Sequence, residues 1–368
     1  MKLNFNRTAL AEALGILTSV VPSRTPKPIL HCVQISADEK NVRICATDLE
    51  VGINQLVSEV QVEEAGEVIV PADRLTAVVR ESADDVLLLR AEEGACKIEG
   101  ADSHFTIYGQ EPGQYPVVPS FEGQADMEIA LSNLQAGIKQ CLFATAKEST
   151  RYALNGVLWE IKGKKLSLVA TDGRRLARCR VSLASAPSEE VAKTKIIVPA
   201  KTMTLLDKIG GGDKDIVAVK LVNNQILFSC ANVVISSNLV EGNFPKYEDI
   251  IPQDYDKKLT LSTEAVLSAV RRSALLTSEE SRGIKLSIGK NNLVFSSRAP
   301  EAGDAQINMP IDYKAEPIEI GFNPQFLIDA LRVIQTAEFE LELGQADRPG
   351  LIKSGANFLY VLMPINLG

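Results

Sequence analysis

Apolar and polar residues alternate in short runs along most of the chain, and six longer stretches break that rhythm with a helical period. The middle third shows the pattern most plainly. Glu128–Leu131 alternates as a strand and runs into a helical stretch at Asn133–Ala146, with Ser132 and Gln135 spaced as a capping box. Alternating runs then occupy Gly156–Lys162, Lys165–Ala170 and roughly Arg175–Val181. The order repeats at once: a strand at Lys195–Val198, a helix at Lys201–Ile209, and strands at Ile216–Leu221, Gln225–Cys230 and Val233–Leu239. Gly210-Gly211-Gly212 stops that helix, and Asn223-Asn224 suits a hairpin turn. Further helices are expected near 7–20, 72–81, 263–276 and 324–335. The predicted class is α+β, built from six strand–helix–three-strand (βαβββ) units.

The units come in pairs, and the pairs repeat. Val68-Ile69-Val70-Pro71-Ala72 returns as Ile196-Ile197-Val198-Pro199-Ala200, Thr47-Asp48 as Thr171-Asp172, and Gly113-Gln114-Tyr115-Pro116 as Gly242-Asn243-Phe244-Pro245. The offsets are 128, 124 and 129 residues, so three landmarks keep their order and nearly their spacing. The remainder is about one unit more. Leu259-Thr260-Leu261-Ser262 echoes Ile129-Ala130-Leu131-Ser132, and Ile318–Asn323 runs from strand into helix, but Ser297-Arg298-Ala299 stands where Thr-Asp would fall. Three similar domains are expected, at 1–125, 126–251 and 252–368.

Charge adds a second layer. The whole chain is acidic, with 39 Lys and Arg against 47 Asp and Glu. The six helical segments reverse this balance, with ten bases against six acids. Their bases include Arg74, Arg80, Lys139, Lys147, Lys201, Arg271, Arg272 and Arg332. Basic helices on an acidic chain could meet phosphate on one surface and repel it elsewhere; an ordinary solvated helix face would look the same. Six dispersed cysteines without a Cys-x-x-Cys pair, and only two histidines, argue against zinc and against a disulfide framework. Neither a signal-like start nor a run of 18 apolar residues is present, so a soluble, cytoplasmic protein is expected.

The chemistry-bearing stretch is Ala170–Ala177, where a Thr-Asp-Gly turn presents Arg174, Arg175 and Leu176. An enzyme using Asp48 and Asp172 as acid and base is one reading. No histidine or nucleophile accompanies them, and Gly210-Gly211-Gly212-Asp213 lacks the Gly-Lys-Ser/Thr of a phosphate loop. A docking surface is the other.

With the threefold repeat, Arg151–Gly156, Ala170–Ala177, Phe244-Pro245-Lys246-Tyr247 and Tyr360-Val361-Leu362-Met363-Pro364 in this order, the chain closely resembles the bacterial DNA polymerase III beta subunit family, over essentially its whole length. The resemblance implies a non-catalytic DNA sliding clamp without cofactor or metal. Two chains would join head to tail into a six-domain closed ring around double-stranded DNA, tethering the replicative polymerase for processivity. A non-topological DNA-binding scaffold is the alternative. Short linear motifs of the polymerase catalytic subunit, the clamp loader, other polymerases and repair proteins would dock in a groove. Its matching residues are Leu154, Thr171, Gly173, Arg174, Arg175, Leu176, Pro245, Ile250, Asn323, Phe326, Val361, Leu362, Met363, Pro364 and Ile365. This chain departs from relatives at Asp249, Ser281 and Asn366. DNA would meet Arg24, Lys147, Arg151, Tyr152 and the helix bases, with Ala153 and Glu148 as departures. The dimer contact would pair Phe105 and Ile107 with Leu275 and Leu276. A cytoplasmic location, at the nucleoid during replication, is implied, with no membrane partner.

Overall fold

A computed structural model describes every residue except 93, 148–150, 254, 278–282 and 367–368. The six helices appear as α1 (Arg7–Leu17), α2 (Ala72–Glu81), α3 (Leu131–Cys141), α4 (Ala200–Lys208), α5 (Thr263–Ser273) and α6 (Pro324–Val333). Each follows a strand and precedes three more, so the predicted βαβββ order holds six times; a further strand, Val60–Glu64, is added in the first repeat. Apart from α2, the helices end before their apolar pattern does at the C-terminal side. In α1, the Thr18 hydroxyl turns back onto the Leu14 carbonyl at 2.8 Å and closes the helix there. The expected cap at Ser132 falls inside the first turn of α3, because the Leu131 amide already bonds the Asp215 carbonyl at 2.8 Å. Elsewhere the caps are side-chain oxygens at the strand–helix junction: Asn6 accepts from the Ala9 amide, Ser262 from Ala265 and Asn323 from Gln325.

The chain forms two compact units that do not follow the repeats. One comprises 1–132, 183–192 and 201–239; the other comprises 133–182, 193–200 and 240–368. Each is built on an eight-stranded antiparallel sheet. The sheet of the first unit runs Met127–Ala130, Ile216–Val222, Gln225–Cys230, Val233–Asn238, Val51–Val57, Val42–Thr47, Cys32–Ala37 and Gly66–Pro71. Its first four strands come from the second sequence repeat and its last four from the first. The sheet of the second unit runs Lys195–Pro199, Gly156–Lys162, Lys165–Thr171, Arg175–Ser182, Phe358–Leu362, Gly350–Ser354, Glu338–Leu343 and Lys257–Ser262. It joins the second repeat to the third.

Each unit also carries a smaller sheet. The first has five strands ending at the edge strand His104–Tyr108, and the second has four ending at Gly303–Pro310. Helices cover one face of the sheets: α1 packs beside α2, and α5 beside α6. Gly137 marks how closely α3 lies on its sheet, since a Cβ there would fall 2.5 Å from Val181 Cγ2. All six cysteines are buried and unpaired, and among the described residues no helix is long and apolar enough to cross a membrane.

Candidate functional site

The Thr-Asp turns of the first two repeats are the same structure. Thr171 Oγ1 donates to the Arg175 carbonyl at 2.7 Å and accepts from the Gly173 amide at 3.1 Å. Thr47 does the same to Val51 and Leu49, at 2.9 and 3.0 Å. Asp172 Oδ1 takes the Arg174 and Arg175 amides, as Asp48 Oδ1 takes those of Glu50 and Val51. Both turns need a left-handed third residue, Gly173 at φ 88° and Leu49 at φ 79°. The second carboxylate oxygen is also engaged: Asp172 Oδ2 pairs with Arg175 Nε at 3.0 Å, and Asp48 Oδ2 pairs with Lys201. Asp48 and Asp172 are therefore turn scaffolding, and the acid–base reading fails on geometry.

Arg175 itself sits differently from the sequence expectation. Its side chain is only 10% exposed. It bonds Asp172, Asp329 Oδ2 of α6 at 2.7 Å and the Phe143 carbonyl at 2.8 Å, and its guanidinium lies 4.3 Å from the centre of the Phe326 ring. Burial opposes its charge, but the Asp329 bond and the surrounding groups outweigh this and raise its pKa above the ordinary value. A guanidinium so filled holds the turn to α6 and has little left for a visiting peptide. Phe143, which completes this nest, carries no sequence signal beyond an apolar helix end.

Strand alternation divides the expected groove residues between two faces of one sheet. Thr171, Leu176 and Val361 lie in one cross-strand row, beside Leu351. Arg175 and Leu362 form the neighbouring row, pointing to the opposite, helix-bearing face with Phe326. On the helix-free face, Leu176 and Val361 join Leu158, Val169, Ile197, Tyr247, Leu351 and Leu359 in an apolar cluster covered by Val240, Phe244, Ile251 and Tyr255. Leu154, Thr171, Leu176, Val361 and Leu362 are all buried, so they can form only a floor or its support. The rim is Arg174, Gly173, Ile250 and Met363, all exposed, with Pro245 half-buried. Asn323 spends its side chain capping α6. Pro364 and Ile365 line a separate cleft of about 570 Å³ with Ile320, Gly321 and Asn366. Asp249 is exposed beside the rim, while Ser281 and Glu148 lie outside the described residues.

The covering segment is pinned by one buried carboxylate. Glu160, 2% exposed, accepts from the Tyr247 hydroxyl at 2.7 Å and pairs with Lys195 at 2.8 Å and Lys162 at 3.2 Å. Burial alone would raise its pKa; the bonds from Lys195, Tyr247 and Lys162 overcome burial and hold it at about 2. A cavity of about 200 Å³ opens beside it, lined by Leu158, Ile197, Phe244 and Pro245.

The expected DNA-facing residues Arg24, Arg74, Arg80, Lys139, Lys147, Arg151, Tyr152, Arg271, Arg272 and Arg332 are all exposed. Lys201 is not available in the same way, because it is tied to Asp48 and to the Val20 carbonyl. Arg80, Lys139, Arg271, Arg272 and Arg332 sit in the last turns of their helices, where a cation also offsets the helix dipole. Of the expected dimer residues, Phe105 and Leu275 are exposed and Leu276 is half-buried. Ile107 is 4% exposed, pointing inward from the alternating edge strand, and belongs to its own domain's core.

Repeated strand–helix units, sheets shared between repeats, and an apolar face rimmed by exposed arginine and methionine define a clamp-fold binding scaffold. Comparison with known proteins agrees along the whole chain. Models of the DNA polymerase III beta subunit match its N-terminal domain at 1–119, its central domain at 128–246 and its C-terminal domain at 248–366. The beta sliding clamp of Pseudomonas aeruginosa is 32% identical over 373 residues, covering all of both chains. A crystal structure of the sliding clamp from that organism, bound to griselimycin, superposes with a TM-score of 0.93 at 31% identity over the full length of both chains. The Bacillus subtilis clamp gives 0.94 at 27% identity, over 100% of this chain and 99% of that one. The chain belongs to the DNA polymerase III beta subunit family, the beta sliding clamps. Its function is that of a DNA sliding clamp in replication, a processivity factor with DNA and polymerase as partners and no catalysis of its own.

Proposed function

We propose that two copies of this chain close head to tail into a six-domain ring around duplex DNA, with domains at 1–125, 126–251 and 252–368. The observation that carries this reading is the pair of bare sheet edges, His104–Tyr108 in one unit and Gly303–Pro310 in the other. Unpaired edges of this length invite pairing; exposed Phe105 lies on the first edge, and exposed Leu275 belongs to the Ala274–Leu276 turn, which packs against the second. Within the ring, the exposed helix-end bases attract phosphate without reading sequence, so the duplex slides while enclosure retains it.

Partner peptides dock on the helix-free face of the second unit's large sheet, over Leu176 and Val361, between Arg174, Pro245, Ile250 and Met363. Short motifs of the replicative polymerase, the clamp loader, other polymerases and repair proteins fit such a site, because an apolar floor with a polar rim takes an extended peptide. The protein works in the cytoplasm, at the nucleoid. The decisive experiment loads it on a closed circular plasmid and then cuts the circle. Retention on the circle and release on cutting are expected; equal dwell times on circular and linear DNA would establish a non-topological scaffold instead.

A further inference from the structure

On the helix-free face of the second unit, a second cavity opens on the C-terminal side of the covering segment. It measures about 370 Å³, within the range of about 300–1,000 Å³ typical of small-ligand sites. Register explains its lining. Arg178, Leu359 and Lys353 stand side by side across three strands, and Leu351, Glu342 and Lys258 form the next row. Ile251, Pro252 and Tyr255 of the covering segment close it from above.

The charges in this lining do not balance. Glu342 is 2% exposed and takes both Lys258 at 2.9 Å and Lys353 at 2.7 Å. Glu248 leans towards Lys195, at 3.8 Å. That leaves Arg178 with no carboxylate within ion-pair distance among the described residues. Its Nε is buried without a hydrogen-bond partner, and so is the Tyr255 hydroxyl. Burial, and then neighbouring Arg180, lower the Arg178 pKa from the ordinary guanidinium value, outweighing the opposite pull of Tyr247 and Glu160. Native proteins rarely leave buried donors unmet, and both of these belong to residues that line the cavity.

We propose that this cavity is a binding site for a small organic carboxylate, its anionic head on Arg178 and a short apolar chain against Ile251, Pro252, Leu351 and Leu359. Lys258 and Lys353 already share Glu342, so Arg178 is the cation of the lining left for an anionic head. The apolar half of the wall has no use for an inorganic ion. A carboxylate matches the guanidinium fork, and its oxygens, or a water it orders, supply the acceptor that Tyr255 lacks.

Calorimetric titration of the full chain with sodium hexanoate at constant ionic strength tests this, with hexanol and hexylammonium as probes of equal chain length. Saturable one-to-one binding of hexanoate is expected, at least tenfold tighter than either analogue. Arg178→Gln should weaken hexanoate at least tenfold, and Tyr255→Phe, which keeps the ring and the packing, about threefold. Absence of saturable hexanoate binding, equal binding of hexanol, or unchanged affinity in a folded Arg178→Gln protein would each overturn the assignment. Should Arg178→Gln not fold, the hexanoate-to-hexanol ratio on the unaltered protein decides.

Discussion

Arg175 is a charged residue whose worth lies inside the protein. It meets two carboxylates, a carbonyl and two aromatic rings with one guanidinium. Arg175→Ala should therefore destabilise the fold by about 3 kcal/mol, since it strands Asp172 and Asp329 in a half-buried site. Urea denaturation reads this directly; a loss below about 1 kcal/mol would mean the network carries no weight. Glu160 makes a complementary, pH-dependent case. Its folded pKa of about 2 lies below the ordinary 4.5, so its contribution is present in full above pH 4.5 and is lost as pH falls towards 2. Glu160→Gln should remove on the order of 2 kcal/mol at neutral pH and flatten the acid limb of the stability curve in that window. An acid limb of unchanged slope in the variant would contradict this.

At the scale of elements, the shared turn separates what the sequence could reveal from what it could not. Thr-Asp recurs because its hydroxyl and carboxylate close the turn, and both repeats show the same four bonds. The two turns differ in what fastens them to a helix: Arg175 reaches Asp329 of α6 in one, and in the other Asp48 takes Lys201 of α4, with the charges exchanged. Pattern alone showed the turn, the strand order and all six helices, because period and turn chemistry are local. It could not show that Arg175 reaches Asp329 of α6, that Lys201 is tied to Asp48, or that Ile107 turns inward. Those facts depend on register between strands distant in sequence. Even so, a residue count from Leu176 to Arg175 already puts them on opposite faces. Gly173→Ala tests the turn by itself. Nothing lies within 4 Å of its would-be Cβ, so the cost is backbone strain alone, about 1 kcal/mol. A thermal or urea midpoint showing a loss above about 3 kcal/mol would reveal a steric cost instead; Leu49 shows that the twin turn already bears a side chain.

At the scale of the whole molecule, the proposed ring keeps an acidic protein on an acidic polymer by topology, with its exposed helix-end bases easing the contact. Dimerisation is then the step that matters most. Phe105→Asp combined with Leu275→Asp should convert dimer to folded monomer in sedimentation velocity and abolish retention on circular DNA. Persistence of the dimer would move the interface elsewhere. Retention itself should respond weakly to salt on a circle and steeply on a linear fragment, where only phosphate attraction remains.

Val51–Val57 hydrogen-bonds along Val233–Asn238, and Arg175–Ser182 along Phe358–Leu362, so each large sheet crosses a boundary between repeats. Cleaving the backbone near residue 125 should thus do little, while separating the resulting pieces should do much. Each piece alone would bare the inner edge of a half-sheet and tend to aggregate; co-refolded, the two should recombine by fragment complementation. The length of chain that was duplicated is not the length of chain that folds.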